Sequence, residues 1–246
     1  SLLTEDQVAA IREHAVKCLD EPQSIPAHER HFLAGPTQVL LDHPAIVGVL
    51  NEIIAHARVA SEETYGFRFD HGFTMRRAAG EEHNPFNPHG GGLHALVGNS
   101  HIYQHQWGRI SAGLTRVVCE LTGVEEDDGA TLLLSGSHKA AFPRPQALTD
   151  INSKLWESYT CPPGSVLIFT EALCHSGRPW TNHAQPRLAM FNCYNAICAK
   201  WAPHGVPDEV IDAMHPKRQS LFRGVWTGAG EGKAVNTYLD QQNRAL

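Results

Sequence analysis

The periodicity of apolar residues changes once along the chain, near Gly66, and this change constrains the fold more than any other feature. Before it, apolar residues recur at helical spacing in two stretches. The first opens with a capping box of Thr4 and Gln7, and the second has Pro44 in its first turn. After it, "FRFDHGFTMRRAA" alternates as a strand does, and further short strand-like runs follow between turn residues such as "EEDDG" and "PPG".

Helices followed by many short strands predict a mainly β fold with added α-helices, an antiparallel sandwich or barrel braced by the N-terminal helices. We expect a helical part over about residues 1–65, a β core over about 66–200, and a C-terminal helix with a polar tail over about 201–246. No internal repeat or low-complexity linker interrupts the sequence. A single domain over residues 1–246 is therefore the expected organisation.

Charge and cysteine usage limit the classes of partner. The net charge is −6 and no basic run occurs, which argues against nucleic acid or an anionic membrane as a partner. No apolar stretch has membrane-spanning length, and we expect no signal peptide. The six cysteines form no CxxC pair and most lie in apolar runs, so we expect reduced thiols and a cytoplasmic location. The oligomeric state stays open.

Histidine is the compositional outlier, with 16 among 246 residues. Several histidines lie close together in the sequence: His83, His89, His94, His101 and His105. Histidine is the commonest metal ligand and the side chain that titrates near neutral pH. For any one histidine, a surface position or a hydrogen-bonded core position is the commoner role, so the cluster needs support from other motifs.

Three spaced motifs in the β-rich part provide that support. They are "EEDDGATLLLSGSHKAAFPRP", "PPGSVLIFTEALCHSGRPW" and "QPRLAMFNCY". Their order and spacing, over roughly residues 65–200, resemble the phytanoyl-CoA dioxygenase family of non-haem Fe(II), 2-oxoglutarate-dependent oxygenases. The resemblance implies a double-stranded β-helix, the jelly-roll or cupin-like fold. It also implies Fe(II) and 2-oxoglutarate as cofactors and a small molecule as the substrate.

The resemblance assigns roles to individual residues. His175, after an apolar strand, matches the family's second metal histidine. Arg187, about a strand length later, matches the arginine that holds the far carboxylate of 2-oxoglutarate, for which a planar guanidinium suits better than lysine. Ser176 or Thr181 would supplement that contact.

The other half of the family's metal site departs from the pattern. The family normally has His-x-Asp or His-x-Glu upstream of the strand that here reads "GLTRVVCEL", and no such tripeptide occurs between residues 80 and 115. His89 instead begins a His-x-Gly, with Gly91 at the position of the carboxylate. Iron-dependent halogenases of the wider superfamily carry glycine or alanine there, which opens a coordination position for chloride. The resemblance thus implies His89, Gly91 and His175 as the catalytic set and raises halogenation as an alternative to hydroxylation.

Other arrangements would restore hydroxylase chemistry without that carboxylate. A water molecule or a substrate atom would fill the position, or His94 or His101 would complete a three-histidine site. Alternatively Glu171, four residues before His175, would act as the carboxylate ligand. An acid at the end of an apolar strand needs a partner. A structural carboxylate that accepts hydrogen bonds from the glycine-rich loop is the competing interpretation of Glu171.

Two function classes compete with an oxygenase that oxidises a C–H bond. "HGGG" also forms the oxyanion hole of lipases, but the Gly-x-Ser-x-Gly elbow that such enzymes require is missing. The second class is a non-catalytic jelly-roll protein that binds a small molecule after losing its iron site. The presence of His89, His175 and Arg187 together argues against that class, because a scaffold alone needs none of them.

Overall fold

The computed structural model describes residues 1–90, 101–106, 108–140 and 145–226, so Gly91 and His94 lie outside the described residues. The architecture is mainly β with α-helices, as predicted. The α-helices are α1 (Glu5–Asp20), α2 (Pro44–Ile53), α3 (Asp208–Asp212) and α4 (Pro216–Gln219). The strands are β1 (Phe67–Arg77), β2 (Gln104–Gln106), β3 (Arg109–Ser111), β4 (Thr115–Glu120), β5 (Leu132–Leu133), β6 (Ser165–Thr170), β7 (His175–Ser176) and β8 (Arg187–Ala196).

The two N-terminal helices begin where the sequence predicts. The Thr4 hydroxyl accepts a hydrogen bond from the amide of Gln7, and the amide of Thr4 donates to Oε1 of Gln7, which completes the capping box of α1. Helix α2 begins at Pro44 and ends at Ile53, well before residue 65, where the predicted helical part ends. The amide of His56 donates to the carbonyl of Gly66 at 2.8 Å, so the chain has already turned towards β1.

The prediction of one long C-terminal helix is wrong. Helices α3 and α4 are separate because His215, which precedes Pro216, is extended with ψ 139°. Steric conflict with the proline ring disfavours the helical conformation in the preceding residue. Pro216 then starts α4, where its missing amide costs nothing, and a 3-10 turn over Ser220–Phe222 follows.

The main sheet has four strands in the order β1-β8-β4-β6, and each pairing is antiparallel. Strands β5 and β7 form a second, two-stranded sheet, and β2 pairs with β3 in a third. Two isolated antiparallel bridges, His89 with His175 and Leu133 with Glu157, widen the β5–β7 sheet. The antiparallel pairing predicted from the short strands is confirmed.

The main sheet is buried on both faces. On one face, apolar side chains of the sheet such as Phe67 and Met190 share a core with Ile11 of α1 and Leu50 of α2. On the other face lies a smaller apolar cluster, which we call the inner-face cluster. Its buried members are Val118, Phe169, Leu173, Ala189 and Phe191, with Met75, Leu133 and Leu167 packed against them. Since Leu133 belongs to β5, the β5–β7 sheet covers this inner face.

Strand β1 contributes to both faces because it contains a bulge. Its register with β8 shifts between Phe69 and His71, which leaves Asp70 as the extra residue. Phe69 belongs to the core under the helices, whereas Phe73 stacks on Phe191 of the inner-face cluster with ring centroids 4.9 Å apart. The bulge therefore directs the second half of β1 towards the inner face.

Asp70 holds the bulge through a set of hydrogen bonds in the protein interior. Its carboxylate is fully buried and accepts from the amides of Trp201 and Ala202 at 2.8 and 2.9 Å and from the Asn195 side chain at 3.1 Å. Burial by itself would raise the pKa of Asp70, but the hydrogen bond from His71 and the amide bonds lower it.

Replacing Asp70 by asparagine keeps the shape and removes the charge. We expect Asp70→Asn to lower the free energy of unfolding by about 2 kcal/mol at pH 7, because charge-assisted hydrogen bonds are lost. The folded-state pKa is lowered, so the stabilisation is present above about pH 4 and disappears as the pH falls further. Urea unfolding from pH 7 to pH 3 measures this difference, with the exposed Asp212→Asn as the control. A difference that does not depend on pH would contradict this account of Asp70.

The six cysteines are free thiols, as predicted. Cys119, Cys174 and Cys193 are buried, and Cys198 is exposed. Within the described ranges, no helix combines the length and the apolar character needed to cross a membrane.

Candidate metal centre

Three side chains that suit a metal ion meet beside the inner-face cluster. The ligand atoms of His89, Glu171 and His175 all lie within 4.8 Å of one another. His89 belongs to the loop after β1, Glu171 follows β6, and His175 begins β7. Nε2 of His175 lies 3.5 Å from Oε2 of Glu171. The structure thus brings together the two histidines implied by the family resemblance and the glutamate that sequence analysis left as one of several third ligands.

A backbone bridge fixes the two histidines against each other. The amide of His89 donates to the carbonyl of His175 at 2.9 Å, and the amide of His175 donates to the carbonyl of His89 at 2.8 Å. The imidazole centroids are 4.0 Å apart. Directly opposed residues of an antiparallel pair carry their side chains on the same side, so the bridge alone brings both rings to one place.

Each histidine also has its ring orientation fixed by a backbone carbonyl. Nδ1 of His89 lies 2.6 Å from the carbonyl of Asn87, and Nδ1 of His175 lies 2.8 Å from the carbonyl of Leu173. A carbonyl only accepts, so Nδ1 carries the proton and Nε2 keeps its lone pair. Burial lowers the pKa of His175 to about 4, which keeps this imidazole neutral at physiological pH.

Glu171 is held in its ionised form by an arginine on the neighbouring strand. Nε of Arg116 on β4 donates to Oε1 of Glu171, whose side chain is only 5% exposed. Burial alone would raise the pKa of Glu171, but the charge of Arg116 and its hydrogen bond to the carboxylate oppose burial, and the pKa is lowered to about 2. The second oxygen, Oε2, faces His175.

Arg116 is itself restrained by aromatic rings. Its Cζ atom lies 5.7 Å from the ring centroid of Phe73 and 5.8 Å from that of Phe191. A guanidinium at this distance from aromatic faces is attracted by their negative charge density. The stacked pair of Phe73 and Phe191 therefore positions Arg116, and Arg116 positions Glu171.

The donor set matches one class of metal. Two neutral imidazoles and one carboxylate, with room for further ligands, form the facial triad of non-haem Fe(II) oxygenases. His89, His175 and Glu171 supply such a set: Nε2 of His175 lies beside Oε2 of Glu171, and Nε2 is the ring nitrogen of His89 that its Nδ1 contact with the Asn87 carbonyl leaves available. In the described part of the chain, no other group of three histidine, cysteine or acidic residues has this spacing.

Gly90 explains why a glycine follows His89. Its φ is +83°, and a Cβ atom there would lie 2.2 Å from the carbonyl oxygen of Leu173 and 2.9 Å from that of Glu171. Only glycine permits this conformation together with this approach of two backbones. Sequence analysis attached importance to Gly91, which lies outside the described residues. The role of Gly91 stays a prediction, whereas the steric requirement for a glycine is observed at Gly90.

Arg187, implied by the resemblance as the anchor of 2-oxoglutarate, is only 1% exposed and is bound within the protein. Its Nε donates to Oε2 of Glu120 at 3.1 Å, and its Nη2 donates to Oε1 of the same carboxylate. Nη2 also reaches the hydroxyls of Tyr159 at 3.0 Å and Thr131 at 3.3 Å. Glu120 was missed by sequence analysis, although an acid within the apolar run "VVCELTG" is a signal that a partner exists.

Comparison with known proteins identifies the family. The sequence matches phytanoyl-CoA dioxygenase (PhyH) over residues 1–189 of 246. The chain belongs to the phytanoyl-CoA dioxygenase family. The match includes β1, β4, β6, β7 and all three residues of the candidate metal centre. No protein with a curated function matches the sequence.

Among solved structures, members of this fold include HygX from Streptomyces hygroscopicus with iron bound. It has a TM-score of 0.60 and 18% identity, and the match covers 85% of this chain and 86% of HygX. HygX with nickel, 2-oxoglutarate and hygromycin B bound has the same TM-score and identity, with 83% and 86% covered. The epimerase SnoN in complex with Fe3+, alpha ketoglutarate and nogalamycin RO has a TM-score of 0.55 and 15% identity, with 94% and 85% covered. At these identities the likeness concerns the fold.

The two hydroxyl residues that the family resemblance implies beside Arg187 make other contacts. The Ser176 hydroxyl accepts from the amide of Asn87 at 2.9 Å and donates to the carbonyl of Gly177 at 3.1 Å, so it fixes the loop before His89. The Thr181 hydroxyl donates to the carbonyl of Asp127 at 2.7 Å.

The two other histidines proposed as third ligands are not part of the described cluster. His101 is buried against the ring of Trp201, with centroids 4.1 Å apart. His94 lies outside the described residues.

Gly80 allows the steric role of Gly90 to be measured, because both have φ near +80° but a Cβ at Gly80 would meet nothing within 4 Å. Gly80→Ala should lower the free energy of unfolding by about 1 kcal/mol from the backbone conformation alone. Gly90→Ala should cost ~2 kcal/mol more, because the backbone at Leu173 must shift. It should also weaken Fe(II) binding by roughly tenfold or more. Urea unfolding and Fe(II) titration measure both effects; equal behaviour of the two variants would contradict the close approach at Gly90.

Proposed function

We propose that this member of the family is a non-haem Fe(II), 2-oxoglutarate-dependent oxygenase that oxidises a C–H bond of a small molecule. The observation that carries the proposal is the cluster of His89, Glu171 and His175. Its donor atoms suit Fe(II), and both protein segments that supply them are fixed by backbone hydrogen bonds.

In this proposal Glu171 replaces the carboxylate that the family usually has two residues after the first histidine. Gly91 stands at that position here. Glu171 is buried, ionised and held by Arg116 on one oxygen, while its other oxygen faces His175. In this arrangement the carboxylate ligand comes from the segment before His175, whereas in the usual family pattern it comes from the segment after the first histidine.

We also propose that the chain forms a single jelly-roll domain. The four-stranded sheet and the β5–β7 sheet with its two added bridges are antiparallel layers, and Leu133 joins them through the inner-face cluster. Similarity over 83–94% of the chain to HygX and SnoN supports the same arrangement. The helices α1 and α2 brace the outer face of the larger sheet.

The proposed cofactors are Fe(II) and 2-oxoglutarate, on the donor set above and on the contents of related structures. HygX has been crystallised with iron and with nickel and 2-oxoglutarate, and SnoN with Fe3+ and alpha ketoglutarate. With both bound, O2 would be the oxidant: 2-oxoglutarate would supply two electrons as it is decarboxylated, one oxygen atom would enter succinate with release of CO2, and the other would be transferred to the substrate. Arg187 is the proposed partner for the far carboxylate of 2-oxoglutarate.

The protein's own residues then have separable tasks. His89, His175 and Glu171 bind the metal, and Arg116 keeps the Glu171 carboxylate oriented and ionised. The inner-face cluster places apolar side chains beside them, with the ring centroid of Phe169 4.9 Å from that of His175, and these side chains would limit the access of water. The substrate is proposed to be a small organic molecule, as are hygromycin B and nogalamycin RO in the complexes of HygX and SnoN.

Halogenation is the second candidate, and the His89-x-Gly91 sequence favours it. A halogenase needs an open metal position for chloride. The carboxylate of Glu171 within the cluster supports hydroxylation instead, because an anionic ligand close to the metal competes with chloride. A protein that only binds a small molecule is the third candidate, and it predicts no consumption of 2-oxoglutarate.

Glu171→Gln tests the proposal, because the amide keeps the size of the side chain and removes its charge. We expect Fe(II) affinity to fall by ~100-fold or more and 2-oxoglutarate turnover to be lost, since a charged ligand is removed. Anaerobic titration with Fe(II), followed by succinate formation after addition of O2, measures both quantities. His175→Ala should behave in the same way, and the exposed Glu125→Gln is the control that should match the wild type.

The outcomes separate the three candidates. Wild-type affinity and turnover in Glu171→Gln would remove Glu171 from the metal site. Chloride-dependent formation of a halogenated product, or a chloride-dependent change in the absorption band of the Fe(II)–2-oxoglutarate complex, would replace hydroxylation by halogenation. Absence of any Fe(II)-dependent 2-oxoglutarate turnover in the wild type would favour a binding protein.

A further inference from the structure

The guanidinium proposed to anchor 2-oxoglutarate has its charge compensated inside the protein. Arg187 and Glu120 are each 1% exposed and form a two-point ion pair. Such an arrangement gives an arginine its strongest internal partner. A second carboxylate that approached Arg187 would therefore meet a pair without net charge.

Glu120 cannot leave this pair at low cost. It lies on β4, which has paired strands on both sides, and its carboxylate also accepts from the hydroxyl of Tyr159 at 2.6 Å. Moving it away would leave two buried charges without partners, which is strongly destabilising. A positive charge that balances the far carboxylate of 2-oxoglutarate must therefore come from a residue other than Arg187.

Arg77 is the cation that stands beside this pair. It is the cross-strand partner of Arg187 in the register of β1 with β8, and its side chain is half-buried. Nη1 of Arg77 donates to the carbonyl of Arg178 at 3.3 Å. Among the described residues, no carboxylate lies within 4.0 Å of its guanidinium, whereas Arg187 has one. Burial, and after it the charge of Arg187, lowers the pKa of Arg77, and the more distant carboxylate of Glu81 offsets only part of this effect.

Arg77 also lies next to the segment that carries the second metal histidine. A Cβ atom placed on Gly177 would be 3.5 Å from Nη1 of Arg77. Gly177 follows His175 by two residues and directly continues β7. Arg77 thus lies next to the segment that continues β7 and opposite Arg187 in the sheet.

We propose that Arg77 binds the far carboxylate of 2-oxoglutarate beside Arg187. Arg77 would supply the positive charge for this carboxylate, because Glu120 neutralises the charge of Arg187. The inference rests on the proposed function and adds a second co-substrate-binding residue to it. It also predicts selectivity, because a 2-oxo acid without the far carboxylate gains nothing from Arg77. 2-Oxopentanoate is the matched compound, with a methyl group in place of that carboxylate.

The test is calorimetric titration of the Ni(II)-loaded protein with 2-oxoglutarate and with 2-oxopentanoate. The variants are Arg77→Gln, which removes the charge, and Arg77→Lys, which keeps it. Arg76→Gln is the matched control, because Arg76 is the adjacent residue on the same strand and its exposed side chain pairs with Asp20 at 2.7 Å. Thermal unfolding of each variant checks that it folds.

Arg77→Gln should bind 2-oxoglutarate roughly tenfold or more weakly than the wild type, because a charge-assisted hydrogen bond is lost. Arg77→Lys should recover most of this affinity, Arg76→Gln should match the wild type, and 2-oxopentanoate should bind equally to all variants. Wild-type affinity of Arg77→Gln for 2-oxoglutarate would overturn the inference and leave the proposed function intact. Equal weakening of both compounds would overturn it too. No Ni(II)-dependent 2-oxoglutarate binding by the wild type would overturn both proposals.

Discussion

The antiparallel bridge between His89 and His175 is the interaction on which the rest of the site depends. Two backbone hydrogen bonds of 2.9 and 2.8 Å join a loop to the first residue of β7, and the imidazoles follow because opposed residues share a side. Gly90 is required by the same bridge, since the loop can approach the turn before β7 only without a side chain. The positions of the two metal-binding histidines therefore depend mainly on backbone hydrogen bonds.

The ion pair between Arg116 and Glu171 is the second constraint. Burial alone would raise the pKa of a carboxylate in this position, and a protonated acid is a poor metal ligand. Arg116 on the neighbouring strand lowers the pKa again, and Phe73 and Phe191 hold Arg116 in turn. The inner face of the sheet carries a second buried pair, Arg187 with Glu120, so positive and negative charges are balanced at two separate places.

Sequence reasoning succeeds where the cause is local. The capping box at Thr4 and the proline at the start of α2 depend on residues a few positions apart, and both appear as predicted. The break before Pro216 also has a local cause, the steric effect of a proline on the residue before it, but the prediction of a single C-terminal helix did not include this effect. The role of Glu171 stayed open because it depends on Arg116, which is 55 positions away and reaches it only through the register of β4 with β6. The requirement at Gly90 has the same origin, since its steric partner belongs to another segment.

The most direct test of the account is an anaerobic crystal structure of the Fe(II)-loaded protein, with the metal located by its anomalous scattering. The account predicts one iron bound by Nε2 of His89, Nε2 of His175 and a carboxylate oxygen of Glu171, with Arg116 still donating to the other oxygen of that carboxylate. The opposite result would be iron bound by the two histidines, with chloride or water at the coordination position assigned to Glu171 and the Glu171 carboxylate turned away from the metal. That result would contradict the account.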